Sequence, residues 1–518
     1  MSIWFKRMKK HLMQQLNPSQ IYKSSLFTNT LLMLCLLALF FLYLYPSFSN
    51  FFVGDDFTWL KWAAQSDNGT LVRNFYDAQG FFFRPIDKLF IYLQYSFFSL
   101  NPFMYHVVNL FFNFSCSVAV YFLLQIVFKK KRTAFLGAFL FSFIPSHSQN
   151  LFWIATISTT ISAGFILFGL LAFYYARVRK SIFLYVLSLV LFLLSVFSYE
   201  NAIIFIGLIA LFDLFLIDRK YKKHKVVFFI PYVISAGIIG LYLYLRINAN
   251  AAGFSGDYNY NLIKVLPNSA GNYIGYVLAF FASENSFALY NAARNNLKSY
   301  FLFISVIGFL VFAFIGGFFI EHKEKIRLAQ PVKLFFFGFL FSVVSLMTYL
   351  PLGNITLRYI YLPTFGFVVM SLIVFEFCMS KVKDKWVNHT LYVIVLFLIG
   401  AWCYVQLQTA ESYWAKASNV TLYTMNSLVK QDIQDNTHLY FYNIPTKTGE
   451  AYIFPVGLPD LVYFVNPSPT IYTFIVSDRQ KAEVLKNTIG KKVSNSWIFT
   501  FDKDFLLQMV DNRTSNEE

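Results

Sequence analysis

The fold class of this chain is decided by residues 24–56, which read SSLFTNTLLMLCLLALFFLYLYPSFSNFFVGDD. No charged residue occurs from Ser24 to Gly54, and a helix of that length can cross the roughly 30 Å hydrocarbon core of a bilayer. Two adjacent acids, Asp55 and Asp56, follow directly. Because charge at a membrane boundary is costly to desolvate and is usually retained for a task, this pair is the first candidate site.

The composition of the whole chain agrees with a membrane protein. Of the 518 residues, 57% are hydrophobic and only 13% are charged, whereas a soluble domain is about one quarter charged. Apolar runs of about 20 residues recur over the first four fifths, which predicts a polytopic α-helical membrane protein. The net charge of +17 lies in short hinges between these runs, so it indicates topology rather than nucleic-acid binding. A polybasic lipid-binding surface is the alternative interpretation.

Six basic hinges set the predicted topology. They lie at 6–10, 129–132, 177–180, 219–225, 323–327 and 381–385. The positive-inside rule places all six in the cytoplasm, together with the N-terminal residues 1–25. Eleven spans then alternate between them, at 26–45, 104–128, 133–150, 157–176, 181–199, 202–218, 226–246, 300–320, 332–351, 357–379 and 389–409. The first of these is predicted to be a retained signal anchor.

Because successive spans cross the membrane in opposite directions, the remaining connecting regions lie outside the cytoplasm, and an odd number of spans places the tail there too. The outer face receives a first loop, 46–103, a long loop, 247–299, and a tail, 410–518. Within the long loop, the apolar segment 270–290 is predicted to be a surface or re-entrant helix. The tail is predicted to form a small α/β or mainly β extracytoplasmic domain, with strands at 439–442, 461–465, 471–476 and 496–501. The four cysteines show no C-x-x-C spacing and indicate no disulfide framework.

Polar residues suited to chemistry concentrate on the outer side. Asp55 and Asp56 are candidates for a general base, although an acid at this position also stabilises a helix start. Arg84 and Arg358 suit a lipid phosphate, while an interfacial arginine that only snorkels is the alternative for Arg84. His147 could bind a phosphate or a sugar, and the alternative is a structural histidine. Glu200, at a helix end, is a further candidate.

Five short motifs in order carry a resemblance to a known family. They are the Asp55-Asp56 pair after the first span, Phe83–Ile86 (FRPI), Pro102–Leu110 (PFMYHVVNL), Pro145–Ile154 (PSHSQNLFWI) and Arg358–Pro363 (RYIYLP). Over roughly residues 26–410 the chain resembles the GT-C superfamily of integral-membrane glycosyltransferases. It is most similar to the branch of protein O-mannosyltransferases, TPR-carrying O-mannosyltransferases and their bacterial relatives.

The resemblance implies a GT-C-like transmembrane domain over 26–409 and an inverting, hexosyltransferase-type reaction at the outer face. The implied donor is a sugar on a polyprenyl phosphate. Asp55 is the implied base and Asp56 its partner, while Arg84, His147 and Arg358 would hold the donor phosphate. Glu200 would line the donor or acceptor pocket. Tyr199 stands where the family usually has lysine, and no TPR array is seen, so the resemblance does not imply a protein acceptor.

Other functions and requirements remain open from sequence alone. A transporter or flippase of lipid-linked glycans, a membrane acyltransferase and a polymerase or ligase of surface polysaccharide are the rival functions. The acceptor is a glycan, a lipid or a protein. The sequence predicts no certain cofactor, although the Asp55-Asp56 pair has ligands that Mg²⁺ or Mn²⁺ accepts. Richness in Phe, Tyr, Asn, Ile and Lys favours a bacterial plasma-membrane location.

Overall fold

A computed structural model describes residues 18–78, 82–218, 225–251, 265–283, 286, 290, 330–489 and 495–513. Side chains are not described for 18–26, 225–227 and 511–513. The α-helices before the tail are α1 (Pro18–Leu44), α2 (Asp55–Ala64), α3 (Asn68–Arg73), α4 (Pro85–Phe98), α5 (Pro102–Phe128), α6 (Lys131–Phe143), α7 (Ser148–Phe152), α8 (Ile157–Arg179), α9 (Ile182–Ser198), α10 (Phe205–Phe215), α11 (Lys225–Asn248), α12 (Val265–Ala282), α13 (Gln330–Leu346), α14 (Thr364–Ser380) and α15 (Lys385–Lys430).

The chain is an integral membrane protein. Within the described residues, five helical segments are long and apolar enough to cross a membrane, in α1, α5, α8, α11 and α15. Three shorter apolar helices, α9, α13 and α14, accompany them. The predicted span 300–320 lies outside the described residues. The number of eleven spans therefore stays a prediction.

Several predicted spans hold shorter α-helices in the structure, including 133–150, 202–218, 332–351 and 357–379. In the region of the predicted span 133–150, the 13-residue helix α6 begins at Lys131 and ends at Phe143. The next residue, Ile144, is extended, as favoured for a residue that precedes a proline. A 3-10 turn, Pro145–His147, and the five-residue α7 follow. The predicted span 202–218 contains the end of a 3-10 turn, Glu200–Ile204, and the 11-residue α10. The predicted spans were thus too long where a buried turn, such as Pro145–His147, adjoins the α-helix.

The long helix α15 joins the membrane region to the tail. It runs without a break for 46 residues, about 69 Å at 1.5 Å per residue. Asp384 begins it, accepting a 2.9 Å hydrogen bond from the backbone N–H of Val387. The predicted boundary at 409/410 falls inside this helix. Residues 410–430 are therefore both the end of α15 and the stem of the tail.

The tail forms a four-stranded sheet with two helices. Its elements are β1 (Thr437–Tyr442), β2 (Lys447–Thr448), β3 (Ala451–Tyr452), α16 (Leu458–Val465), β4 (Tyr472–Ile475), α17 (Arg479–Thr488), β5 (Asn495–Phe501) and β6 (Leu507–Arg513). The sheet order is β4-β1-β5-β6, with β1 parallel to both neighbours and β5 antiparallel to β6. The remaining strands, β2 and β3, form a separate antiparallel pair.

The predicted strand at 461–465 is wrong, because these residues belong to α16. Gly457 precedes the helix with a left-handed φ of 91°, and Pro459 lies in its first turn, where proline is favoured. The buried residues Leu458, Leu461 and Val462 repeat with helical spacing. The predicted strands at 439–442, 471–476 and 496–501 correspond to β1, β4 and β5.

Candidate active site

A cavity of about 280 Å³ lies where the first loop, the helix bundle and the tail meet. Its lining residues are Asp55, Trp59, Phe82, Arg84, Trp153, Ala155, Thr156, Ser158, Thr159, Tyr199, Arg358, Tyr452, Pro455 and Val456. Three of the six predicted site residues, Asp55, Arg84 and Arg358, are among them. The cavity therefore combines a carboxylate and two guanidinium groups with aromatic walls.

Asp55 presents its carboxylate to this cavity from the start of α2. The side chain is half-buried, and it accepts no hydrogen bond from the residues that the structure describes. Burial raises the pKa of Asp55; the charge of Arg358 lowers it, the charge of Asp460 raises it, and the net direction is upward. A carboxylate with a raised pKa is a stronger base than an ordinary aspartate once it is ionised.

Asp56 has a different environment although it is the next residue. It is 2% exposed, and both of its carboxylate oxygens accept backbone hydrogen bonds. Oδ2 accepts from the N–H of Val53 at 2.9 Å, and Oδ1 accepts from the N–H of Ala155 at 2.7 Å. Burial raises the pKa of Asp56 to about 8, against these two bonds, which lower it. Asp56 thus ties the first loop to the turn before α8.

Arg358 enters the cavity from a 3-10 turn, Leu357–Ile360, that precedes α14. Its backbone N–H donates a 3.1 Å hydrogen bond to Oε1 of Gln149. Its guanidinium lies 5.5 Å from the ring centroid of Trp153 and 5.3 Å from that of Tyr359. Tyr359 itself stacks on Tyr349, with ring centroids 4.0 Å apart. The aromatic faces around this cation stabilise its charge in a partly dehydrated site.

Arg84 forms a two-bond ion pair with Glu200. Its Nε donates to Oε2 at 2.8 Å and its Nη2 donates to Oε1 at 2.7 Å. The guanidinium also lies 4.2 Å from the ring centroid of Tyr199. Burial would raise the pKa of Glu200, but the Arg84 charge and hydrogen bonds lower it overall. Arg84 lines the cavity, whereas Glu200 is not among the lining residues and holds the Arg84 guanidinium through the ion pair.

His147 does not line this cavity. The imidazole is fully buried, its Nε2 lies 2.9 Å from Oγ1 of Thr364, and its ring packs 4.5 Å from that of Tyr361. Burial lowers the pKa of His147 to about 3, so the ring is neutral at physiological pH. The structure therefore places His147 in the packing between the 145–147 turn and α14, outside the lining of the cavity that Asp55, Arg84 and Arg358 share.

The aromatic wall was missed by the sequence analysis. Trp153 lies within a motif quoted for the family resemblance, but no role was assigned to it. Its ring stacks on Trp414 of α15 at 5.8 Å and packs against Tyr452 of β3 at 5.0 Å. The position of Trp153 directly after polar turn residues is the local signal that could have indicated its place in the cavity wall. No local signal indicates Tyr452, which reaches the cavity from the tail.

A second, smaller cavity of about 20 Å³ adjoins the first deeper in the bundle. The two share the lining residues Thr159, Tyr199 and Arg358. The deeper one is also lined by Ser162, Asn201 and three tyrosines, Tyr349, Tyr359 and Tyr361. Arg358 therefore stands at the junction between the open cavity and a polar recess in the helix bundle.

Metal ligation depends on the same carboxylates. Among the described residues, no group of three or more His, Cys, Asp or Glu side chains could hold a metal ion. Both oxygens of Asp56 are engaged by backbone N–H groups, so Asp55 is the member of the pair that faces the cavity. The Mg²⁺ or Mn²⁺ dependence stays a prediction.

Sequence comparisons find no relative of this chain, whereas solved structures of low sequence identity match it. No protein-family model and no curated protein sequence matches the chain. The solved structures that are similar to it include the Archaeoglobus fulgidus oligosaccharyltransferase in its apo form, and the oligosaccharyltransferase AglB of that organism in complex with an inhibitory peptide and a dolichol-phosphate. The TM-scores are 0.45 and 0.46, with 11% and 10% identity over 79% and 92% of this chain.

This chain spans 62% of the length of the first of those structures and 70% of the second. Similarity this weak does not say what the chain binds or transfers. The chemistry of the cavity has to be inferred from its own residues.

Proposed function

We propose that this protein is a membrane glycosyltransferase, of hexosyltransferase type, that moves a sugar from a polyprenyl-phosphate-linked donor to an acceptor hydroxyl. One observation carries the proposal: the carboxylate of Asp55 and the guanidinium of Arg358 line the same cavity at one end of an apolar helix bundle. A base and a cation in one cleft are what transfer from a phosphate leaving group needs.

The reaction balances without further reactants. The acceptor oxygen forms a bond to the anomeric carbon of the sugar while the bond from that carbon to the donor phosphate breaks. Asp55 takes the acceptor proton, and the electron pair of the broken bond leaves with the polyprenyl phosphate. Because attack and departure occur on opposite faces, the anomeric configuration inverts. A phosphate leaves without being protonated, so a second carboxylic acid is not required.

The two arginines have different roles in this proposal. Arg358 stabilises the charge that develops on the leaving phosphate. Arg84 adds a second guanidinium to the cavity lining, and its ion pair with Glu200 keeps that guanidinium in place. In this proposal His147 makes no contact with the donor phosphate, because its ring is buried and does not line the cavity.

The orientation of the bundle supports an extracytoplasmic cavity. Helix α8 begins beside the cavity residues Thr156 and Ser158 and runs 23 residues to Arg179, in the basic hinge 177–180. Helix α6 begins at the basic hinge 129–132 and ends before the turn that holds His147. If the positive-inside rule applies to these hinges, the cavity opens on the opposite side of the membrane.

The decisive experiment is sugar transfer by Asp55→Asn in the full-length, detergent-purified protein. A panel of polyprenyl-phosphate sugars serves as donors, with alkyl glycosides and Ser/Thr peptides as acceptors. Loss of a general base should reduce kcat by about 10² to 10⁴ while donor binding persists. Asp67→Asn is the matched control, because Asp67 is an exposed acid of the same loop that caps α3. Undiminished transfer by Asp55→Asn would remove Asp55 as the base.

Sidedness has its own test. A single cysteine at exposed position 67, in a chain whose four native cysteines are serine, should react with a membrane-impermeant thiol reagent added to intact cells. Labelling that requires opening of the cells would place the cavity in the cytoplasm and exclude an extracytoplasmic transferase.

A further inference from the structure

The segment that carries Asp55 is held by the tail on its N-terminal side. The backbone N–H of Phe51 donates to Oγ of Ser418 at 2.5 Å, and Oγ1 of Thr421 donates to the carbonyl of Phe52 at 2.6 Å. Both partners lie on α15 beyond the predicted domain boundary. Residues 51 and 52 are therefore attached to α15 through their main chain, which no change of their own side chains would release.

The tail also holds the segment on its C-terminal side. Oγ1 of Thr58 donates to Oδ2 of Asp460 at 2.6 Å, and Nζ of Lys61 donates to Oδ1 of the same carboxylate at 3.0 Å. Thr58 and Lys61 are three residues apart on α2 and so share one face of the helix. Thr58 is also three residues after Asp55. One carboxylate of α16 thus spans the first two turns of the helix that begins with Asp55.

Between these two attachments, the backbones of the loop and the tail touch directly. A Cβ added at Gly457 would lie 2.0 Å from the carbonyl oxygen of Gly54 and 2.7 Å from its carbonyl carbon. Gly457 has φ +91° and Gly54 has φ +51°, conformations that residues with side chains rarely adopt. Only glycine fits this crossing, which lies one residue before Asp55.

The carboxylate of Asp55 has no comparable support of its own. It accepts no hydrogen bond from the described residues, so its position in the cavity depends on where the backbone of α2 is held. We propose that Asp460 of the tail is a positioning residue for Asp55, acting through Thr58 and Lys61 of α2. This inference rests on the proposed function, and it makes the tail a working part of the transfer site rather than an appended domain.

Electrostatics gives the proposal a readout that packing alone would not. The charged groups around Asp55 are Asp56 on α2, Arg84 beside α4, Arg358 in the turn before α14, and Asp460 on α16 with its partner Lys61. The negative charge of Asp460 raises the pKa of Asp55 after the larger effect of burial, while Arg358 lowers it. Loss of the Asp460 charge should therefore ionise Asp55 at lower pH.

The experiment compares Asp460→Ala with Thr58→Val in the full-length protein, using polyprenyl-phosphate sugars as donors. Both variants should lose about tenfold or more in kcat, because small displacements of a catalytic group are costly, while donor KM stays within about twofold of wild type. In Asp460→Ala the acid limb of the kcat–pH profile should move to lower pH. In Thr58→Val the charge remains, so the limb should stay in place.

Glu483→Ala is the matched control, because Glu483 forms an exposed ion pair with Arg479 on α17 of the same domain. It should leave kcat, KM and the pH profile unchanged. Wild-type kcat and an unmoved acid limb in Asp460→Ala would overturn the proposal. If Asp460→Ala fails to fold, wild-type kcat in Thr58→Val overturns it instead. The Asp55→Asn experiment tests a different statement. Undiminished transfer by that variant would exclude Asp55 as the base and would contradict the proposed function itself.

Discussion

Two buried ion pairs at opposite ends of the bundle show how differently similar residues are used. At the hinge end, Arg177 donates to Asp213 at 2.8 Å, and the two side chains are 3% and 4% exposed. At the cavity end, Arg84 donates to Glu200 at 2.7 Å, with 6% and 25% exposure. The hinge pair is closed off by helices, whereas the cavity pair borders open space. We therefore expect the hinge pair to contribute to stability, and the cavity pair to contribute to the chemistry of the cavity that it borders.

The hinge pair also forms hydrogen bonds with neighbouring groups. Nη2 of Arg177 donates to the carbonyl of Phe228 at 2.8 Å, and the hydroxyl of Tyr232 donates to Oδ2 of Asp213 at 2.7 Å. These bonds join the ends of α8 and α10 to the start of α11. At the cavity end, by contrast, Asp55 accepts no bond from the described residues. Substitutions should therefore affect stability at one end and transfer at the other.

The largest expected effect is on stability, from Asp213→Asn. Removal of one charge leaves Arg177 buried without its counter-ion, which should cost about 3–5 kcal/mol. Thermal unfolding in detergent measures the loss, and sugar transfer per folded molecule should persist. Unchanged unfolding would show that Arg177 does not depend on this carboxylate.

Arg358→Gln should have the opposite profile at the cavity end. Loss of a cation beside the leaving phosphate should lower kcat by about 10² to 10³, with little change in thermal unfolding. Single-turnover transfer from a polyprenyl-phosphate sugar measures the effect. A variant that transfers at the wild-type rate would exclude Arg358 from contact with the reacting phosphate.

Asp56→Asn sharpens the contrast between neighbouring carboxyl groups. The side-chain amide has one acceptor atom, so either Val53 or Ala155 loses its bond, at a cost of about 1–3 kcal/mol. A folded-state pKa raised from 3.8 to about 8 means that the folded state binds the proton more tightly than the unfolded state. The stability from Asp56 is therefore greatest in acid and declines as pH rises from about 4 through about 8.

The measurement for Asp56→Asn is the unfolding free energy of wild type and variant across that pH range. The advantage of wild type should shrink as pH rises, because only the wild type titrates at this position. A constant difference would mean that Asp56 keeps one protonation state throughout. Transfer should survive better in Asp56→Asn than in Asp55→Asn.

The smallest effect is expected from Lys130→Ala, in the basic hinge 129–132. Lys130 pairs with Glu376 at 2.5 Å, but its side chain is 52% exposed. Such a pair contributes at most about 1 kcal/mol, and Glu376 also accepts hydrogen bonds from Thr133 and Tyr392. Unfolding should change little and transfer not at all. A large loss of transfer would contradict the separation of the two ends.

Local pattern predicted the long helices well and their surroundings less well. The predicted spans 104–128, 157–176 and 226–246 correspond to α5, α8 and α11, because about 20 apolar residues allow few other structures. The last span was predicted to end at 409 because the composition becomes more polar there, but the helical conformation continues to Lys430. Residues 401–430 contain neither Gly nor Pro, so nothing in the backbone interrupts α15 there.

The candidate site was also predicted in part: the sequence indicated individual residues but not their neighbours. Asp55, Arg84 and Arg358 were proposed from their residue type and position, and all three line one cavity. Residue type could not separate Asp55 from Asp56, since adjacent residues of a helix point in different directions and meet different neighbours. Nor could it show that Glu200 would face Arg84, 116 residues away.

By itself, the sequence determined that this chain enters a membrane and where its long helices lie, because burial of apolar side chains and backbone hydrogen bonding act within each segment. It also determined which acids and arginines lie near helix ends. Only the tertiary structure decided which of them meet: Asp55 and Arg358 at one cavity, Arg84 with Glu200, and Gly54 against Gly457 of the tail. Those contacts join residues far apart along the chain, and their energies depend on packing that no local pattern contains.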